Sequence, residues 1–233
     1  MTHTFNKAYW EEHWEQRPAG GMLAPNPHTV QATRGLTPGT ALDVGCGTGT
    51  EAVWLAERGW WVAGIDISAT ALATAREFGA TAGVEERVQW IEADASTWTP
   101  EQRFDLVTTH YAHAPIPQLE FYARMAAWVA PGGTLILVGH LHGHGGGHAH
   151  DDGAHGGHQH GHGAAEELDP PEEATVTLEQ MQAVLDPAEW DVVEAFATTR
   201  EAMLPGGEVR ALHDVVATAR RRPDPTAPAD VSH

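Results

Sequence analysis

From Thr40 to Val138, five short apolar runs alternate with stretches of helical period, and no other feature constrains the chain as much. The runs are Thr40 to Val44, Trp61 to Ile65, Val88 to Ile91, Phe104 to Thr109 and Thr134 to Val138. Each suits one strand and is too short for a core helix. Between them, Glu51 to Arg58 puts Ala52, Leu55 and Ala56 on one helical face and stops at Gly59. Ser68 is a good N-cap for a helix through Phe78 that ends at Gly79, and another helix is expected from Gln118 to Val129. Pro131-Gly132-Gly133 reads as the turn into the fifth strand. Strands joined by such helices run parallel, and a parallel sheet is covered on both faces. Further on, Thr177 opens a helix with Gln180 at capping-box spacing. Trp190 to Thr199 and Glu208 to Ala219 then read as an antiparallel edge hairpin across Leu204-Pro205-Gly206-Gly207. The expectation is an α/β fold with a seven-stranded, mostly parallel sheet, helices on both faces and that hairpin at the edge.

The rest of the chain divides by composition. Residues 1–35 form an aromatic, Pro-containing segment, expected to act as a cap. The main domain is expected over 36–222, interrupted by a His- and Gly-rich insertion at 140–165, and residues 223–233 read as a disordered tail. Acids outnumber Lys plus Arg by 32 to 13, a formal charge of −19. That balance argues against nucleic acid and anionic membranes as partners, since both need clustered cations. No apolar run approaches membrane-spanning length, and the polar, acidic start does not resemble a signal peptide. The single cysteine excludes a disulfide framework and fits a reducing, cytoplasmic setting.

The first strand runs into Asp43-Val44-Gly45-Cys46-Gly47-Thr48-Gly49, where a helix follows. Glycines at every second position let a ligand lie on the backbone near a helix N-terminus. The pattern is Asp-x-Gly-x-Gly-x-Gly, not the Gly-x-Gly-x-x-Gly of a dinucleotide loop, which counts against a nicotinamide-dependent reductase. Asp66 ends the second strand nineteen residues after Gly47, where an acid accepts ribose hydroxyls in nucleotide folds. Asp94 ends the third strand region, with its capping of the following turn as the plainer reading.

From about Thr40 to Gly139 the chain resembles the class I S-adenosylmethionine-dependent methyltransferases, with their Rossmann-like sheet. The resemblance implies that Gly45, Cys46 and Gly47 line the cofactor's amino-acid end by their backbone, with Asp43 behind the loop organising its amides. It implies that Asp66 holds the ribose, Ile67 packs on the adenine, and Asp94 takes the adenine amino group with Ala95 beside it. Cys46 then matters for its size and backbone, not its thiol. The N-terminal Tyr9-Trp10-Glu11-Glu12-His13-Trp14 and Pro25-Asn26-Pro27 are similar to segments of thiopurine and tellurite methyltransferases that close over the cofactor, which makes Trp14 a cofactor contact. Packing of Trp10 and Trp14 on the outer sheet is the structural alternative.

Ligands in parallel α/β sheets lie outside the carboxyl ends of the strands. The fourth strand delivers His110, Tyr111 and His113 to that edge, as candidates to touch the cofactor or to deprotonate a small-molecule acceptor. His110 is foremost a cofactor-lining residue. A soft nucleophile, a thiol or metalloid oxyanion, is what the family resemblance favours. No oligomeric state is readable.

From His140 to His162 there are nine histidines in 23 residues, diluted by glycine. Imidazole suits Zn, Ni and Cu, and His142, His144, His148 and His150 are the candidate ligands, though the irregular spacing defines no four-ligand site. A metal-buffering or metal-sensing protein built on this fold is the alternative function.

Overall fold

The computed structural model describes residues 5–16, 24–142, 172–203 and 209–224. Helix α1 (Lys7–Glu15) and helix α2 (Pro27–Ala32) precede the sheet. Strand β1 (Thr40–Val44), helix α3 (Thr50–Glu57), strand β2 (Trp61–Asp66), helix α4 (Ala69–Ala82) and strand β3 (Val88–Glu92) form one half. Strand β4 (Phe104–His110), helix α5 (Gln118–Ala127) and strand β5 (Val129–Leu141) begin the other. They are followed by the short strand β6 (Thr175–Val176), helix α6 (Leu178–Ala183), and the hairpin β7 (Trp190–Met203) and β8 (Val209–Arg221). The sheet order is β3-β2-β1-β4-β5-β8-β7, with β6 beside β5, so eight strands stand where seven were expected. Strands β1 to β6 pair in parallel, and β8 runs antiparallel to both β5 and β7. The order reverses between β1 and β4, which brings the loops after these strands to one edge.

Alternation along the central strands builds two apolar layers. Ala41, Val62, Leu106, Ile136 and Val216 bury with Ala52, Val53, Leu55 and Ala56 of α3. Leu42, Val107, Leu135, Leu137 and Val215 bury with Phe121, Tyr122 and Met125 of α5 and Met181 of α6. Thr177 caps α6, with the reciprocal Gln180 bond that the spacing anticipates.

Three local expectations are corrected. Helix α4 does not stop at Gly79. It continues to Ala82 and ends on Gly83, at φ 69°. Gly79 is buried where the Trp90 indole packs on it, so packing overrides its low helix propensity. Helix α5 stops at Ala127, because Val129 already pairs with Phe104. Pro131-Gly132-Gly133 is therefore a bulge within β5 and not the entrance to it: pairing resumes at Leu106 opposite Thr134, with Gly132 at φ 80°. Strand β5 also runs on through His140 and Leu141, into the stretch expected as insertion. The remaining insertion from residue 143, the hairpin turn 204–207 and the tail from residue 225 lie outside the described residues.

Candidate active site

The glycine loop joins β1 to α3 with Gly45, Gly47 and Gly49 at φ 68°, 51° and 84°. Side chains rarely adopt these angles, so the motif is a conformational requirement. The Ile65 carbonyl takes the Gly45 and Cys46 amides at 2.9 and 3.0 Å. The Gly47 amide donates to Asp66 Oδ2 at 2.8 Å, and the Ser68 amide to Asp66 Oδ1 at 2.9 Å. Burial pushes the Asp66 carboxyl up, and these amides oppose it. Asp43 does not organise the loop amides as expected, since those amides have the partners just named. Its carboxyl is sealed in the protein, held up by burial and by Glu51 and Asp66, and takes an amide from Ala52. Its Oδ2 has no hydrogen-bond partner among the described residues. The Cys46 thiol is buried, and burial pushes its pKa up, which fits packing and not nucleophilicity. Ile67 is half-buried beside Asp66. Asp94 Oδ1 accepts the Ser96 amide and hydroxyl at 2.8 and 2.6 Å, a local turn, with Ala95 packed on the core.

Helix α1 bridges the ends of four strands, β1 to β4. Glu11 accepts the Ser68 hydroxyl and the Ala69 and Thr70 amides at 2.8, 2.8 and 3.2 Å, capping α4 from another segment. Burial works against this carboxylate, yet those donors pull its pKa to about 2. Lys7 pairs with Glu92 at the end of β3, and Trp10 Nε1 donates to the His113 carbonyl at 3.2 Å. Trp14 lies on the glycine loop: a Cβ added to Gly47 would stand 2.9 Å from its ring.

A side-chain network lies at the ends of β4, β5 and β8. Asp214 is fully buried and accepts from Tyr111 Oη at 2.7 Å, Arg200 Nε at 2.7 Å and His28 Nε2 at 3.2 Å. Arg200 Nη2 also donates to Tyr111 Oη at 2.8 Å. Burial opposes the Asp214 charge, but the three donors hold its pKa down. Burial and Asp214 push the Tyr111 phenol well up. Tyr111 sits at φ 54°, the one non-glycine residue in that region among those described, and such strain persists only where surroundings enforce it. His110 bonds the Thr29 hydroxyl of α2 and faces Asp43 at 4.0 Å. Burial lowers its pKa. His140 lies 4.7 Å from the Tyr111 ring and 5.5 Å from the His113 ring, and burial, with His113 beside it, pushes its pKa down to about 4.

Thus His110, Tyr111 and His113 reach the same edge as Gly45, Gly47 and Asp66. Residues 41–133 match the family described as methyltransferase domain. This span of the chain is a methyltransferase domain. Among curated proteins the chain is similar to a probable thiol methyltransferase 2 of Arabidopsis thaliana, 34% identical over 136 residues, covering 55% of this chain and 60% of that protein. It is similar also to thiocyanate methyltransferase 1 of the same plant, 31% identical over 141 residues, covering 58% and 62%. The chain thus spans less than two thirds of the length of these relatives. The fold is shared with a structure from work on conversion of a disulfide bond into a thioacetal group during echinomycin biosynthesis. That match has a TM-score of 0.66 and 23% identity and covers 97% of this chain and 93% of that one. TehB from Haemophilus influenzae matches at TM-score 0.62 and 13% identity, covering 91% and 67%.

Sequence reasoning missed Glu11, His28, Thr29, Gln118, Arg200 and Asp214 around the methyltransferase domain. Glu11, Thr29, His28, Arg200 and Asp214 meet partners 57 to 186 positions away, so no local spacing announces them, whereas Gln118 stands only five positions from His113. Among the described residues, no group of three or more His, Cys, Asp or Glu is placed to hold a metal. His142 bonds Thr175 through Nδ1, and His144, His148 and His150 lie outside the described residues. The metal-protein alternative thus gains no support. No helix among the described residues is long and apolar enough to cross a membrane.

Proposed function

We propose that the chain is an S-adenosylmethionine-dependent methyltransferase acting on a small thiol. The observation that carries the cofactor is the loop of left-handed glycines braced by Asp66 at the β1 and β2 ends. The residues fit that group: a turn without side chains at Gly45, Gly47 and Gly49, and beside it the Asp66 carboxylate at the ribose position, braced by the Gly47 and Ser68 amides. Gly45, Cys46 and Gly47 would hold the amino-acid end, Asp66 the ribose, and Ile67, Asp94 and Ala95 the adenine, with Trp14 across the loop. When bound, the cofactor supplies an electrophilic methyl on a sulfonium.

The thiol and thiocyanate methyltransferase relatives support a soft acceptor. A net charge of −19 repels free anions at long range, which favours arrival as a neutral thiol. A thiol with pKa near 8.5 then has to lose its proton in the site. His110 is bonded to Thr29 and faces the buried Asp43, and the Tyr111 phenol is committed to Asp214. His113 is half-buried, with no described bond at Nε2, and is the base. Calorimetry on the full chain tests the cofactor: micromolar binding, weakened at least about tenfold by Asp66→Ala, is expected, and absence of binding by the wild type overturns the reading. S-adenosylhomocysteine release with 2-mercaptoethanol, against catechol and iodide, tests the acceptor. Turnover confined to catechol or iodide would reject the thiol.

A further inference from the structure

We infer that Gln118 is the positioning residue for His113, fixing which ring nitrogen carries the proton and so aiming Nε2 as the proton acceptor. This rests on the thiol reading for its use, but its geometry stands alone. Gln118 opens α5 and is buried, an unusual place for an amide without a task. Its Nε2 donates to the Ala112 carbonyl at 3.0 Å, which fixes the amide's orientation. Its Oε1 therefore faces His113 Nδ1, at 3.0 Å, and an amide oxygen only accepts. Nδ1 must carry the hydrogen, and the lone pair is left on Nε2. That is the arrangement in which a base is oriented by a third group. The two ends of the pair are tied down: Trp10 holds the His113 carbonyl, and the Ala112 carbonyl holds the Gln118 amide.

In the reaction the acceptor S–H bond breaks, its electron pair stays on sulfur, and the proton forms the N–H bond at Nε2. The resulting imidazolium keeps its Nδ1–H on Gln118 and returns the proton to solvent. Burial lowers the His113 pKa and the Gln118 bond opposes that. The groups packed against His113 are Phe5 ahead of α1, Trp10 of α1 and His140 of β5, so His140 is the titratable neighbour among the described residues. Tyr111 and Asp214 reach it only through His140.

The test is nitrogen NMR of the full chain with labelled histidine, beside initial rates with 2-mercaptoethanol from pH 5 to 9. Wild-type His113 should titrate as the Nδ1–H form. Gln118→Glu should keep that form and raise the His113 pKa, moving the acid limb of kcat/KM to higher pH. Gln118→Met should release the ring toward the Nε2–H form and lower kcat at least about tenfold, with S-adenosylmethionine affinity unchanged as proof of folding. An unchanged tautomer and pKa in both variants overturns the inference. If the NMR shifts appear while His113→Ala still turns over the thiol, Gln118 positions His113 as inferred and it is the thiol-base reading that fails.

Discussion

At the β1 to β3 ends the site is made largely of backbone: the Gly45 to Gly49 turn, its bonds to Ile65, and amides gathered by Asp66 and Glu11. At the β4, β5 and β8 ends it is made of side chains: Asp214, Arg200, Tyr111 and four histidines. Backbone geometry can be dictated by a few neighbouring residues, whereas a side-chain network needs partners from several segments. Asp214 alone draws on α2, the loop after β4, and β7. On the function proposed above, the first side holds the cofactor and the second faces the acceptor.

The largest effect expected from breaking that contrast is at Asp214. Asp214→Ala leaves the Arg200 guanidinium and the Tyr111 phenol without their carboxylate, and should cost about 3–5 kcal/mol in urea unfolding. Loss below about 1 kcal/mol would mean that water replaces the carboxylate and that the network is not a true buried hub. His140 sharpens the same side through pH. Its folded pKa of about 4 lies below the ordinary value of 6.5, so between these values the unfolded chain binds the proton and the folded chain does not. Stability is whole above pH 6.5 and falls toward pH 4, by roughly 3 kcal/mol from this group when complete. His140→Phe should flatten the slope between pH 7 and pH 5. Asp43 and Asp66, both held up, act with the opposite sign in both proteins and cancel in the difference.

On the backbone side, Gly45→Ala sets a Cβ 2.3 Å from that of Ala112 at φ 68°. A cost of about 1–3 kcal/mol and a cofactor affinity reduced at least tenfold are expected by calorimetry. Adding Ala112→Gly should recover only the steric share, because the backbone angle remains. Glu11→Ala removes the cap shared by Ser68, Ala69 and Thr70 and should lower stability by about 1 kcal/mol in thermal melts.

The bounds of β1 to β4 were legible to within a residue, since each is a run of apolar residues whose alternation needs no distant information. The β5 entrance was not: Pro131-Gly132-Gly133 carries turn chemistry in either reading, and only the pairing of Val129 with Phe104 makes it a bulge. Gly79 misled in the same way, because its use is to seat Trp90 from another strand. The candidates His110, Tyr111 and His113 were legible as residues at a strand end. Their states were not, because burial, Thr29 and Asp214 set those of His110 and Tyr111 from afar, and the Gln118 bond to His113, five positions away, depends on how the loop turns into α5.

The sequence by itself determined the alternating sheet, the glycine turn and the residues delivered to its edge, because these follow from short-range periodicity and from angles only glycine tolerates. Tertiary structure alone decided that Asp66 and Ile65, not Asp43, hold the loop amides, that Glu11 caps α4, and that Asp214 gathers His28, Tyr111 and Arg200. Hydrogen bonds and desolvation act through space, and residues 19 to 186 positions apart along the chain become neighbours only when the sheet closes.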